Sequence, residues 1–380
     1  MDWNQELCWS IPDIVIVYKV QQQANKCKIM SLRVLVISPT FYGVEKKITS
    51  ALEEIGYEVS WIENKSMPFD YHSTNSKFKI LRKIYFFFFS PNKRYIDKEL
   101  SRFENLKFDF LFSINGFIIC KYLFRKLKNQ NRKLYSILYL WDSIAMYNWA
   151  KELTYFDKVY TFDQADADKF GLLYKPNFYL KNNESIIKEV RFDLFFVGKF
   201  TPFRLSILDK ISVESTKYGF RSFIKLWPAF KIFPHNYIIY QVLKLLDLKF
   251  TWVKSFLLNY EAFEGYLKKD CIMTESLDFE DIQNLACLSN VIIDIPFQDQ
   301  TGYTHRLIEA LANGKKVITT NSNIKTENFY KSDQIKVIDF INPEFDYKWT
   351  KEEMHFPVPG FLNGLELNSW LTSIVHAEVA

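Results

Sequence analysis

The chain has 380 residues, 48% of them hydrophobic, which is enough for two domains with real cores and excludes a disordered protein. Glycine is scarce, at 11 residues, and neither G-x-G-x-x-G nor G-x-x-x-x-G-K-[ST] occurs, which excludes the common glycine-rich phosphate loops. The net charge of +5 is unevenly spread: residues 77–133 hold 15 Lys and Arg against 4 Asp and Glu, a local excess of +11 that leaves −6 for the rest.

In chain order, residues 1–29 contain Asp2, Glu6 and one short apolar run, Ile14–Val17, too short for a membrane span and without a signal-peptide layout. We expect a poorly ordered extension, or a native start at Met30. Leu32–Pro39 predicts a buried strand, Val44–Ile55 a helix stopped by Gly56, and Tyr57–Glu63 a second strand. Lys77–Phe89 and Tyr95–Leu106 have helical spacing, and Phe108–Ile114 is a strand closed by Asn115-Gly116. A helix over Ile118–Lys128 and strands over Leu134–Leu140 and Lys158–Phe162 follow. Near-continuous apolar strands alternating with helices predict a parallel sheet covered on both faces.

After the polar linker Lys181–Ser185 the pattern restarts, with a strand at Phe192–Val197, a helix at Leu205–Tyr218 and a strand at Phe220–Leu226. Residues 228–259 are aromatic, basic and without a clear period. Then come a helix at Phe279–Leu288, a strand at Val291–Ile295 and a helix at Thr304–Ala312. Strands at Val317–Thr320 and Lys336–Asp339 and a closing helix at Phe361–Val375 end the series. The expected class is α/β, with two doubly wound domains: 30–185, 186–360, and a C-terminal helix and tail at 361–380. Ligands of open parallel sheets sit at the carboxyl ends of the strands, so the cleft between two such domains is the expected site.

The most informative stretch runs from Ile295 to Asn321: a strand, a polar turn, a helix, a glycine stop and a strand. Thr301, Gly302, Tyr303 and Thr304 form the turn, which brings backbone N–H groups to a helix N-terminus, where they and the helix dipole suit a phosphate. Arg306 and Glu309 share one helix face at i and i+3. From Gly302 to Glu309 the helix rises about 10 Å, roughly the distance from a diphosphate to its ribose, so Glu309 is placed to accept from sugar hydroxyls. Each of these residues also has a plainer reading, as a cap, a surface ion pair or a solvated face.

Other candidates lie at strand ends. Gly198 and Lys199, with Arg204 close behind, follow the first strand of the second half, where a cation can meet a diphosphate. Gly43 follows the first strand and admits either a substrate or an ordinary turn. Asp142, with Asp163 second, is a strand-end carboxylate and a candidate general base, or else a structural acid. Asp166-Ala167-Asp168 matches a metal-holding spacing but starts a helix, where acids suit the dipole, and we read it as structural. Five scattered cysteines form no CxxC or Cys/His cluster, so no metal and no cofactor are expected.

The Ile295–Asn321 stretch resembles the donor-binding helix of GT-B glycosyltransferases, and "IEALANGKKVITTN" resembles a segment common among them. With Tyr139–Ser143, Tyr160–Asp163, Asp166, Lys169, Pro176–Tyr179 and Phe195–Lys199, the chain is most similar to the bacterial capsular and lipopolysaccharide type over about residues 30–340. The resemblance implies a GT-B fold and a metal-independent transfer from a nucleotide-sugar donor to a glycan acceptor, lipid-linked on this reading. Donor contacts would come from Gly198, Lys199, Arg204, Thr301, Gly302, Tyr303, Thr304, Arg306 and Glu309. One departure stands out: where many retaining members carry Glu-x7-Glu, Glu309 matches the second Glu but Thr301 occupies the first position. A nucleotide-sugar epimerase on the same fold and a non-catalytic polysaccharide-assembly protein are the alternatives. The phenylalanine run Phe86–Phe89, flanked by Arg82-Lys83 and Lys93-Arg94, suits an anionic lipid surface, so the expected location is cytoplasmic, peripheral at the inner membrane face. No nucleic-acid module accompanies the basic stretch, and nucleic acid is not an expected partner.

Overall fold

The computed structural model describes residues 31–65, 90–147, 149–180, 189–227, 245, 270–273, 277–297, 300–344, 346–352 and 356–375. The expected extension at 1–29, the phenylalanine run, the linker at 181–185 and the stretch 228–259 save Leu245 lie outside them.

Two parallel sheets organise the described residues. The first has six strands in the order β2-β1-β3-β4-β5-β6: β1 (Arg33–Ser38), β2 (Glu58–Glu63), β3 (Phe110–Ile114), β4 (Tyr135–Leu140), β5 (Lys158–Thr161) and β6 (Leu173–Tyr174). The second has five in the order β11-β10-β9-β7-β8: β7 (Phe192–Lys199), β8 (Ser222–Trp227), β9 (Ser289–Asp294), β10 (Lys316–Thr319) and β11 (Ile335–Val337). Val34 to Ile37 of β1 are completely buried, because helices cover both faces of the sheet.

The strand order reverses between β1 and β3 in the first sheet and between β7 and β9 in the second. At such switch points the chain leaves neighbouring strands in opposite directions and opens a crevice at their carboxyl ends. The loops after β1, β3, β7 and β9 therefore define where a ligand can enter.

The helices mostly begin where capping chemistry allows. Among the described residues they are α1 (Val44–Ile55), α2 (Pro91–Ser101), α3 (Lys121–Gln130), α4 (Gln164–Phe170), α5 (Pro202–Lys217), α6 (Phe279–Cys287), α7 (His305–Ala312), α8 (Tyr347–Lys351) and α9 (Leu367–Val375). Thr201, Asp278 and Thr304 cap α5, α6 and α7 through their side chains. The helix expected over Tyr95–Leu106 starts four residues earlier, because Pro91 at its first turn needs no N–H partner. The closing helix starts at Leu367 rather than Phe361, since Gly364 at φ +81° breaks the run.

The end of the chain returns to the first sheet. Helix α9 packs on α1, and Trp370, fully buried, meets Tyr139 edge-on at 4.6 Å and Phe178 at 4.9 Å. Its indole donates to Pro176 O at 2.9 Å. The principal apolar core runs through both halves without a break.

A second tie joins the two units. The Asp163 carboxylate, 1% exposed, caps α4 by accepting from the amides of Ala165 and Asp166. It also accepts from the amides of Thr301 (2.8 Å) and Gly302 (3.0 Å) and from the Thr301 hydroxyl, 138 residues away.

Candidate functional site

A cavity of about 390 Å³ lies between the two switch points. Its first wall comes from the loops after β1, β3 and β4, with Phe41, Tyr42, Asn115, Trp141 and Asp142. Its second wall comes from the end of β7, the first turn of α5, the loop after β9 and α7, with Lys199, Arg204, His305, Arg306 and Glu309.

Cations dominate the second wall. Arg306 pairs with Asp294 at 3.1 Å, donates to Val197 O at 2.8 Å and stacks 4.5 Å above the Phe196 ring. Arg204 is 5% exposed; its guanidinium donates to Ile295 O at 2.8 Å and Lys199 O at 3.1 Å and lies 4.1 Å from the Phe297 ring. Burial, then the Arg306 charge beside it, lowers the Arg204 pKa to about 9, so it stays charged at neutral pH. The exposed Lys199 points its charge across the cleft, where it holds down the pKa of Asp142. Against these three cations stands Asp294, itself 1% exposed and spent on Arg306 and the hydroxyls of Thr304 (2.6 Å) and Thr319 (3.2 Å).

The amides that face an incoming anion differ from those expected. Gly302 and Thr301 donate their N–H groups to Asp163, and a Cβ on Gly302 would lie 2.7 Å from Phe162 O. Gly302 is therefore required by close packing of the two units, and its amide is committed. Thr304 caps α7 by taking the Leu307 amide, and the amides of His305 and Arg306 meet no acceptor among the described residues. These two orphan donors carry the positive end of α7. Tyr303 is turned away from the cleft: its hydroxyl donates to Glu327, and its carbonyl accepts from Asn177 at 3.0 Å. Gly198 lines the cleft as expected, but for a packing reason: a Cβ there would sit 2.8 Å from the Arg306 guanidinium.

Glu309 faces the cavity one turn further along α7. Burial raises its pKa to about 8, opposed by the Arg306 charge and by hydrogen bonds from Gln283 and the Leu180 amide. The carboxyl is thus largely protonated at neutral pH and can donate as well as accept.

Of the two candidate bases, the structure brings only Asp142 into the cleft. Asn115 Nδ2 donates to its carboxylate at 2.8 Å, and Asn115 Oδ1 accepts from the Trp141 amide at 3.3 Å. Burial raises the Asp142 pKa, against the Asn115 bond and the Lys199 charge. Asp163 has no role there, because its two oxygens are filled by the α4 cap and the inter-unit tie. Gly43 sits at the N-cap of α1 with φ +84°, a turn position, and the cleft is lined instead by its neighbours Phe41 and Tyr42.

Sequence reasoning missed Tyr42, Asn115 and Asp294 and left His305 without a role. Tyr42 and Asn115 adopt φ +51° and +58°, a left-handed conformation uncommon outside glycine, at the two loops of the first switch point. Asp294 had a readable signal, a lone acid inside the apolar run Val291–Ile295. His305 is clamped between Trp141 and Phe178, with Nδ1 against Phe178 O at 3.1 Å, and burial lowers its pKa to about 4, so it is neutral.

No family model matches the chain, and no curated protein matches it in sequence. Solved structures do share its course. An alpha,alpha-trehalose 6-phosphate synthase from Burkholderia multivorans overlays with a TM-score of 0.51 at 10% identity, over 91% of this chain and 96% of that one. A glycosyltransferase from Rickettsia africae gives 0.48 at 13% identity, over 92% and 98%. The UDP-GlcNAc 2-epimerase of Methanocaldococcus jannaschii, solved with UDP-GlcNAc and UDP, gives 0.46 at 11%, over 91% and 100%. The two switch-point sheets and the trehalose 6-phosphate synthase overlay define the class: a two-domain, Rossmann-like protein of the GT-B fold, a glycosyltransferase-type architecture.

Proposed function

We propose that this protein is a metal-independent glycosyltransferase that moves a sugar from a nucleotide-sugar donor to a surface-glycan acceptor. The observation that carries the reading is the charge of the second wall. Lys199, Arg204 and Arg306 converge on the cleft against the carboxylate of Asp294, beside two amides of α7 that meet no acceptor among the described residues. That surplus of two positive charges suits a diphosphate, both in the ground state and as the leaving group on which negative charge builds. Glu309, further along the same helix, is placed for the ribose. Asp142 on the facing wall takes the proton of the acceptor hydroxyl, and Asn115 fixes the orientation of its carboxylate. Phe41, Trp141, Phe117 and Tyr147 line the acceptor side and offer apolar faces to a sugar ring.

The basic face of the first unit fits a lipid-linked acceptor at a membrane. Helices α2 and α3 pack together and expose Lys93, Arg94, Lys98, Lys121, Arg125 and Lys128. Among the described residues no helix is long and apolar enough to cross a bilayer.

The test is a thermal-shift screen against UDP-, GDP-, CMP- and dTDP-sugars, with and without EDTA. One nucleotide family should raise the melting temperature, with or without EDTA, and release nucleoside diphosphate only when acceptor is added. Conversion of the donor without acceptor would transfer the assignment to an epimerase. No shift with any donor would refute the reading.

A further inference from the structure

Tyr42 belongs to the acceptor-side unit, yet it ends in the cation wall of the other. It lines the cavity together with Lys199, Arg204 and Arg306, and its ring stands edge-on to Trp227 of β8 at 6.1 Å and to Phe41 at 4.7 Å. The backbone beneath it is held from both sides. The Phe41 amide donates to Glu45 at 3.1 Å, the Val44 amide to Phe41 O at 2.9 Å, and the Phe279 amide, from α6 across the cleft, to Tyr42 O at 3.2 Å. The residue keeps φ +51°, a costly conformation for so large a side chain, and the following Gly43 keeps φ +84°. Strain of this kind persists where the surroundings over-determine it, and here it aims a phenol at the guanidiniums.

Each guanidinium is fixed by two hydrogen bonds to the protein and keeps three further N–H groups. Arg204 spends Nε and one Nη on carbonyls of Ile295 and Lys199, and Arg306 spends its two Nη atoms on Asp294 and Val197 O. They supply a rigid positive field and donors from one wall only, so a diphosphate seated there is open to a further donor from the facing wall. The Tyr42 hydroxyl has no hydrogen-bond partner among the described residues, and both arginine charges act on it. With the guanidiniums lining the same cavity and no acceptor for it among the described residues, its proton is available to an anionic oxygen.

We infer that Tyr42 is a ligand of the donor diphosphate, its hydroxyl completing from the acceptor-side unit the anion site built by Lys199, Arg204 and Arg306. This rests on the donor-site reading above. A bound diphosphate is then held by both units at once, so donor binding itself pins the first switch-point loop, which Asp142 and Asn115 adjoin.

The experiment compares wild type, Tyr42→Phe and Arg306→Ala by calorimetric titration with UDP, GDP, CDP and dTDP, and with the matching nucleoside. Tyr42→Phe keeps the ring and the strained backbone and removes only the hydroxyl, so the melting temperature without ligand should not move. The diphosphate should bind about tenfold more weakly, the ordinary worth of one hydrogen bond to a charged group, while nucleoside binding is unchanged. Diphosphate affinity within twofold of wild type, with Arg306→Ala weakened, overturns the inference and leaves the donor site standing. If wild type binds none of the four diphosphates, both fall.

Discussion

Glu309→Gln isolates the most perturbed carboxyl of the cleft. Burial holds the Glu309 pKa at about 8 in the folded protein, whereas in the unfolded chain it returns to the ordinary value near 4.5. The folded state therefore binds one more proton than the unfolded state across that window. Stability from this group is fully present below about pH 4.5 and is lost as pH rises through about 8. Between pH 5 and pH 7 nearly one proton is involved per molecule, so the loss is about 2 kcal/mol. A folded pKa a full unit lower would change that figure little, because most of the window still lies between the two values. Gln keeps the shape and the accepting oxygen for Gln283 and the Leu180 amide but cannot ionise. The assay is the melting temperature of wild type and variant at pH 5, 6 and 7 without nucleotide. The difference between the two proteins removes all titrations they share. Wild type should lose about 2–3 °C relative to the variant from pH 5 to pH 7, since a chain of this length has an unfolding entropy of roughly 0.8 kcal/mol/K. Parallel curves would show that Glu309 is solvated and ionised in the folded protein, with no burial-raised pKa.

Three further substitutions test other parts of the arrangement. On the proposed function, Asp142→Asn should lower kcat by about 10²–10⁴ with the donor KM nearly unchanged, as steady-state kinetics would show, because it would remove proton abstraction and spare the cation wall. Asp163→Ala strips an acceptor from four amides and the Thr301 hydroxyl, and should cost about 3 kcal/mol or more in urea unfolding. The same variant should widen the distribution of inter-unit distances in small-angle scattering. Trp370→Ala should cost about 3–5 kcal/mol, and hydrogen exchange should rise in α9 and in the α1 face it covers.

What was legible in the sequence was local. Four consecutive apolar residues in β1 can only be buried on both faces, and the 3.6-residue stripe of Leu307, Ile308 and Leu311 marks α7. The acidic and basic residues of that helix followed from the stripe, since whatever shares a helix with a buried face must point elsewhere. Pairings across long separations left no periodic trace. Gly302 sits in a turn that suits a phosphate, but its amide goes to Asp163, whose side chain arrives from 139 residues earlier in the chain. The α4 cap half of Asp163's bonding was local, and the tie to Thr301 was not. Tyr42 was hidden for a different reason: positive φ at a bulky residue contradicts local propensity, and such conflicts arise where tertiary structure overrides it.

The two walls carry opposite charges and are electrostatically joined before any ligand arrives. Lys199 lowers the proton affinity of Asp142 across the cleft, which makes Asp142 a weaker base in the empty protein than its burial alone would produce. On the proposed function, a diphosphate bound at Lys199, Arg204 and Arg306 would cancel that positive field. The Asp142 pKa then rises further above the ordinary carboxylate range, toward the value at which an ionised base abstracts a proton best near neutral pH. On the proposed mechanism, donor binding thus strengthens the base that the acceptor meets. The acid limb of kcat should accordingly lie at higher pH than the free-enzyme limb seen in kcat/KM for the donor. Replacing Lys199 with Met should narrow the gap by raising the free-enzyme limb. Coincident limbs in wild type would show that the donor's charge does not reach Asp142, and that the two walls act independently.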